Sequence, residues 1–191
     1  MSAIDLQLCV LTPTDEVDFD CGDAELNEFF QVDSLVHQCN FLSKTYYCKD
    51  NSDRIVSMVS VCNDNIKFSE EQRKKFTGRK RFPSYPAVKI ARLGVSSTIQ
   101  GGGLGTQIMD FLKIFFVIRN KTGCRFLTVD AYNNDRTLRF YRKNGFSFLK
   151  EGDKEKRHRA MYFDLLPYYN GLTEETRNAM GNSIAELIKA I

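Results

Sequence analysis

The chain has 191 residues, 42% hydrophobic and 27% charged, with 15 Phe, 8 Tyr and no Trp. That is the composition of a soluble globular protein, long enough to bury a core without disulfide or metal staples. The formal net charge of +3 does not by itself demand a polyanionic partner, and the longest apolar run, residues 111–118, contains Lys113 and is far too short to cross a bilayer.

Residues 4–12 alternate loosely apolar and polar through Ile4, Leu6, Leu8 and Val10, which predicts a first strand. No basic start followed by an apolar stretch precedes them, so no secretory leader is read. Asp20-Cys21-Gly22-Asp23 predicts a turn. Asp23 then caps a helix with Glu25 in its first turn and Leu26, Phe29, Phe30 and Leu35 or Val36 on one face. Residues 45–49 and 55–63 are rich in β-branched and aromatic residues and are separated by Asp50-Asn51-Ser52-Asp53, a hairpin signal. Residues 70–86 predict a loop or short helix, because Pro83 and Pro86 argue against a continued strand. This segment crowds six basic residues into nine positions: Arg73, Lys74, Lys75, Arg79, Lys80 and Arg81. Such a run is either a solvated loop or a contact for an anion or nucleic acid.

Val88, Ile90, Leu93 and Val95 mark the next strand, and Leu104, Ile108, Phe111, Leu112, Phe115 and Ile118 recur at helical spacing until Gly123. Residues 126–129 are a nearly all-apolar strand, as expected when both faces are covered. A second helix covers 134–144, with Gly145 as its stop. Strands at 146–149 and 160–165 follow, joined by a charged turn around Gly152-Asp153. This order predicts an α/β domain with a parallel strand pair at its centre. The expected organisation is one domain over residues 1–167 and an amphipathic helical extension over 168–191. Thr173 caps the extension, and Met180, Ile184, Leu187, Ile188 and Ile191 form its stripe. The stripe either packs on the same domain or meets a partner, a second copy included.

The six cysteines, Cys9, Cys21, Cys39, Cys48, Cys62 and Cys124, form no C-x-x-C pair and have no His at ligand spacing. No metal site is read, and a reducing, cytoplasmic setting is expected. Of the two histidines, His37 falls late in the first helix and reads as a surface residue. His158 falls in the charged turn and reads as solvated.

The chemistry concentrates at Gln100-Gly101-Gly102-Gly103-Leu104-Gly105, between a strand and a helix. Glycine permits positive φ and close ligand approach, and a helix start offers unpaired N–H groups to a diphosphate. Four glycines in a loop are equally compatible with a flexible turn that binds nothing. A phosphate-binding Walker loop is excluded because Thr106-Gln107, not Lys-Ser/Thr, follows Gly105, and the spacing G-x-G-x-x-G is absent.

The hexapeptide does match Q/R-x-x-G-x-G/A through Gln100, Gly103 and Gly105, the acetyl-CoA signature of the GNAT superfamily of N-acetyltransferases. Downstream, the segment from Asn134 through Tyr141 to Gly145-Phe146 resembles that family's N-x-x-A-x-x-x-Y-x-x-x-G-F, with Thr137 where Ala is usual. The resemblance covers residues 88–164 well and the N-terminal half more loosely. It implies a GNAT fold, a central mixed sheet with a splayed parallel pair flanked by helices. Acetyl-CoA would lie in the splay, with Leu93, Gly94 and Val95 pairing with its pantetheine arm. Amides of Gln100, Gly101, Gly102, Gly103, Leu104, Gly105 and Thr106 would hold the pyrophosphate, and an N–H near Gly94 or Val95 would stabilise the oxyanion. Asn134 would bond the arm, and Tyr141 would serve as general acid. Phe140 beside it reads as core.

The base stays open. Asp130 and Asp135 are candidates, each also explained as a strand-end or cap carboxylate. An α-amine titrating near ~7.7–8.0, against ~10.4 for Lys, needs little help. Three functions follow: N-acetyltransfer to a small-molecule or protein amine, acetylation of aminoacyl-tRNA, or acyl-CoA binding without catalysis. For the second, Phe19-Asp20-Cys21-Gly22, Leu26-Asn27, Thr45-Tyr46-Tyr47 and Ala91-Arg92-Leu93-Gly94-Val95 resemble the GNAT toxins that use this substrate. Residues 73–81 and 150–159 would then contact tRNA, although Glu151, Asp153 and Glu155 dilute the second segment.

Overall fold

The structure, a computed structural model, describes residues 7–76, 82–118 and 123–179. Ile4 and Leu6, Arg79, Lys80 and Arg81, and the stripe from Met180 to Ile191 lie outside the described residues. Seven strands, β1 (Gln7–Val10), β2 (Lys44–Lys49), β3 (Ile55–Ile66), β4 (Tyr85–Val95), β5 (Phe126–Tyr132), β6 (Ser147–Phe148) and β7 (His158–Asp164), form one sheet in the order β1-β2-β3-β4-β5-β7-β6. Every neighbouring pair is antiparallel except β4 and β5, which run parallel across the α4 crossover (Leu104–Ile118).

Alternation along the strands divides the side chains between two faces. On one face Val59, Val61, Val88, Ile90, Leu127 and Val129 pack with α4, α5 (Asp135–Lys143) and α6 (Leu165–Gly171). On the other, Phe19, Tyr47 and Met58 pack with Phe29 and Phe30, between α1 (Ala24–Glu28) and α2 (Ser34–Cys39). Further along that second face, Phe68, Tyr85, Ala87 and Phe126 form an aromatic cluster with Phe76, which follows α3 (Glu70–Lys74).

The predicted elements recur with instructive differences. Asp23 caps α1 by accepting from Leu26 N, but a π turn over Phe29–Asp33 separates α1 from α2. Leu35 packs inward while Val36 is exposed. Residues 70–74 take the short-helix option, closed by a capping box between Ser69 and Gln72. β4 begins at Tyr85 and tolerates Pro86 near its start. The missing N–H falls where pairing with β5 has not begun, and the Pro86 carbonyl accepts from Arg125 N at 3.0 Å. Leu165 begins α6, a helix absent from the sequence reading, capped by Asp164. A division at residues 167 and 168 would cut this helix, whose Tyr168 meets the Phe163 ring edge-to-face. Thr173 does cap a further turn at residues 174–179, accepting from Thr176 N at 3.1 Å.

The site is created where β4 and β5 part. Their ladder holds three pairs, Ala87↔Phe126, Val88↔Leu127 and Lys89↔Thr128, and then ends. Beyond it β4 stays on β3 as far as Ser57↔Val95, while β5 stays on β7 as far as Tyr132↔His158. The register shift between Ser60 and Val61 leaves Ala91 as an extra residue in β4, a bulge that bends the strand away from its parallel neighbour.

Gly94 lies on the diverging end of β4, where a Cβ would stand 2.9 Å from Phe19 Cε1 and 3.2 Å from Phe30 Cε2. Gly94→Ala therefore forces these packed rings aside, and urea denaturation is expected to register a loss of about 1–3 kcal/mol.

Candidate active site

The parted strands enclose a cleft of about 960 Å³, walled by β4 from Lys89 to Val95, by β5 from Val129 to Tyr132, and by the starts of α4 and α5. Ser96 N donates to Val56 O of β3 at 2.9 Å. N–H groups alternate between the edges of an extended strand. Gly94 N–H therefore turns toward β3, and those of Leu93 and Val95 turn toward the open edge. The expectation of a cleft-facing donor near Gly94 or Val95 narrows to Val95 and its neighbour Leu93. Gly94 contributes the absence of a side chain.

At the mouth, residues 100–103 turn into α4. Gly101 and Gly103 have φ of +85° and +87°, and a Cβ built on either would meet only open space. Among the described residues, the N–H groups of Gln100, Gly101, Gly102, Gly103, Leu104 and Gly105 have no hydrogen-bond partner. Thr106 differs from expectation, because its N–H already donates to Gly103 O at 3.0 Å as part of the first helical turn. The Gln100 side chain is a brace. Its Nε2 donates to Cys21 O (2.7 Å) and Val95 O (2.9 Å), and its Oε1 accepts from Arg136 Nη2 (2.6 Å). It thus ties both walls to the turn. A Cβ on Gly105 would approach Phe140 Cε2 to 3.0 Å, so glycine there seats α4 against α5.

Asn134 caps α5 by accepting from Thr137 N at 2.9 Å. This uses its oxygen and leaves Nδ2 to donate into the cleft that it lines. Tyr141 is buried in the apolar cluster of α4 and α5 yet reaches the same cleft. Its hydroxyl has no hydrogen bond among the described residues, and burial pushes the phenol above its ordinary range. It stays protonated at neutral pH.

The opposite face of the cleft is polar. Lys89 Nζ binds Asp130 Oδ2 at 2.9 Å and approaches Asp64 Oδ2 at 3.8 Å, stapling β4 to β5 on that face where their ladder ends. Asp130 is therefore engaged as a strut, and Asp135 does not line the cleft. Neither stands as an unpartnered carboxylate base in it. Sequence reasoning missed a cluster that spans the mouth. Glu25 of α1 accepts from Tyr132 Oη of β5 (3.1 Å) and from Arg157 Nη2 (3.0 Å). His158 is half-buried against the Tyr132 ring at 4.8 Å rather than solvated. Its position opposite Tyr132 depends on the β5–β7 register, which no local pattern encodes.

Among the described residues, no helix is long and apolar enough to cross a membrane. A family model described as an acetyltransferase (GNAT) domain matches residues 43–148, more than half of the chain. Solved structures of similar fold include AtaT complexed with acetyl-methionyl-tRNAfMet, with a TM-score of 0.72 and 22% identity, covering 88% of this chain and 100% of that one. AtaTR bound with acetyl-CoA aligns with a TM-score of 0.66 and 23% identity over 84% of this chain and 94% of that one. A Tyr→Phe mutant of KacT aligns with a TM-score of 0.70 and 19% identity over 87% and 99%. At these identities the likeness establishes the fold.

Gly103→Ala puts a side chain on a backbone that L residues rarely adopt, at a strain of about 1–3 kcal/mol. Calorimetry is expected to show a roughly 10-fold weaker Kd for acetyl-CoA, with the protein still folded.

Proposed function

This chain belongs to the GNAT family of acetyltransferases, and from that premise we propose how its residues carry an acetyl group from acetyl-CoA to a primary amine. The enzyme is an acyl-CoA-dependent N-acetyltransferase. The unpartnered amides from Gln100 to Gly105 receive the pyrophosphate at the positive end of α4. The open edge of β4 at Leu93 and Val95 pairs with the pantetheine arm as an added strand would, and Asn134 Nδ2 donates to it. The Leu93 or Val95 N–H meets the thioester oxygen and stabilises its developing charge. The amine attacks the carbonyl directly, without an acyl-enzyme. The departing sulfur takes a proton from Tyr141, whose burial keeps that proton in place. The observation that carries this reading is the combination of a three-pair ladder and a run of unsatisfied amides at the mouth it opens.

A narrower acceptor is favoured by what the cleft lacks. Its carboxylates are all engaged: Asp23 in capping, Glu25 with Tyr132 and Arg157, Asp130 with Lys89. A site so equipped suits an amine that is already partly neutral, titrating near ~7.7–8.0. The α-amine of aminoacyl-tRNA is such a group, and AtaT, a similar fold, is complexed with an acetylated methionyl-tRNA. The start of the basic run, Arg73 and Lys74 in α3, lies on the same sheet face as the polar half of the cleft. On this reading the protein works in the cytoplasm, where charged tRNA is found.

Tyr141→Phe is expected to lower kcat by about 10²–10⁴-fold with the acetyl-CoA Kd unchanged. Wild-type turnover itself separates a catalyst from a binding module. Because the phenol is held above its ordinary range, no alkaline loss of activity below about pH 10 should come from this group. Replacing Arg79, Lys80 and Arg81 by Ala should weaken tRNA binding and reduce its salt slope by up to about three. Unchanged binding would remove this segment from the tRNA surface.

A further inference from the structure

The amine arrives as an ammonium for part of the time, and its proton must go somewhere. The titratable side chains lining the cleft are mostly committed to one another. Asp23 caps α1, Glu25 holds Tyr132 and Arg157, Lys89 holds Asp130, and Arg136 holds Gln100. Cys21 Sγ donates to Asn27 Oδ1 at 3.1 Å, Arg92 donates to Ala91 O and Tyr141 keeps its proton. Lys143 is an exposed side chain at the far end of α5. His158 also lines the cleft, and its imidazole makes no hydrogen bond or ion pair among the described residues. The ring lies against Tyr132, centroids 4.8 Å apart and tilted by 34°, and its nitrogens have no partner among the described residues.

Position strengthens the case. In the β5–β7 register, His158 lies opposite Tyr132, two residues from Ala160↔Asp130. Alternation puts His158, Tyr132 and Asp130 on the face of α1 and α2. Tyr141 lies in the cluster on the opposite face, with α4 and α5. A thioester threaded between β4 and β5 would have Tyr141 on the sulfur's side and His158 on the side left open to the acceptor.

We propose that His158 is the general base that takes the proton from the attacking ammonium. This inference rests on the acetyltransferase reading above and holds for any α-amine acceptor. One ring nitrogen accepts a proton from the ammonium, and the freed lone pair forms the N–C bond. The C–S electrons leave with sulfur, which takes the Tyr141 proton. The second proton of the new amide nitrogen restores Tyr141, and the imidazolium releases its proton to solvent. Among the described side chains lining the cleft, the imidazole is the one with an uncommitted nitrogen able to accept a proton. Around the Tyr132 ring on which His158 packs act Glu25 of α1, Asp23 at its N-cap and Arg157, beside His158 on the chain.

The test compares wild type and His158→Gln on two probes, a pool of charged tRNA and methioninamide, with acetyl-CoA as donor. The variant is expected to lose about 10-fold in kcat near pH 7, and to recover toward about pH 9 as the amine, only about a tenth neutral at pH 7, sheds its proton unaided. Acetyl-CoA affinity should not change. Added imidazole should restore turnover to His158→Ala, a rescue that a merely structural role would not give. A variant within about threefold of wild type near pH 7, or a deficit independent of pH, overturns the inference alone. Wild-type turnover on methioninamide but not on charged tRNA overturns the tRNA reading and leaves the histidine to be judged on methioninamide. A wild type that acetylates neither overturns the acetyltransferase reading and the inference with it.

Discussion

The architecture depends on a single geometric conflict. Two parallel strands are hydrogen-bonded for three residues and are then claimed by different neighbours, β4 by β3 and β5 by β7. A bulge at Ala91 lets β4 bend without losing its own ladder. The result is a sheet interior with an unpaired polar edge, which would be costly in a closed core and is useful where a ligand can complete it. Struts keep the opening from closing or spreading. Lys89–Asp130 holds its floor, Glu25–Tyr132 its polar side, and Gln100–Arg136 its mouth. Burial pulls the Lys89 ammonium down, but its bond to Asp130 and the nearby charges of Asp130 and Asp64 together push it up, as expected of a strut rather than an acid.

The same conflict separates the chemistry in space. The face covered by α4, α5 and α6 is apolar and carries Tyr141, so in the proposed mechanism the proton meant for the leaving sulfur is kept in a desolvated place. The face between α1 and α3 is polar and partly open, so a charged acceptor can approach without losing all its water. A buried phenol is a weak acid, and its value here is directional. It presents one donor and no competing partner to the atom on which charge develops.

Much of this was legible because it is local. The glycine turn, the caps at Asp23 and Asn134, and the stop at Gly145 are written in short patterns whose physics needs no distant partner. The illegible parts are relations between distant segments. Glu25 and Tyr132 meet across 107 positions of chain, and Gln100 reaches Cys21 across 79. Residues 150–159 read as a charged turn able to face tRNA, yet within it Asp153 and Arg159 are a buried pair. The Asp153 carboxylate also accepts from Ala160 N, and the guanidinium lies 3.7 Å from the centroid of the Phe148 ring. Composition gave no sign of this, because burial there follows from β6 folding back onto β7. The surroundings of Asp130 and Asp135 were hidden for the same reason, since neither Lys89 nor the outward face of α5 is visible from the carboxylate's own neighbourhood in sequence.

The central claim is that acetyl-CoA completes the open edge of β4 and the amide turn before α4. Backbone amide chemical shifts, followed during titration with acetyl-CoA, test it most directly. The account predicts saturable shifts concentrated at Leu93, Val95 and Gly101 to Gly105, with Gly94, bonded toward β3, shifting less. Saturation with shifts confined to other surfaces, or no shift at all in the presence of excess acetyl-CoA, would contradict it.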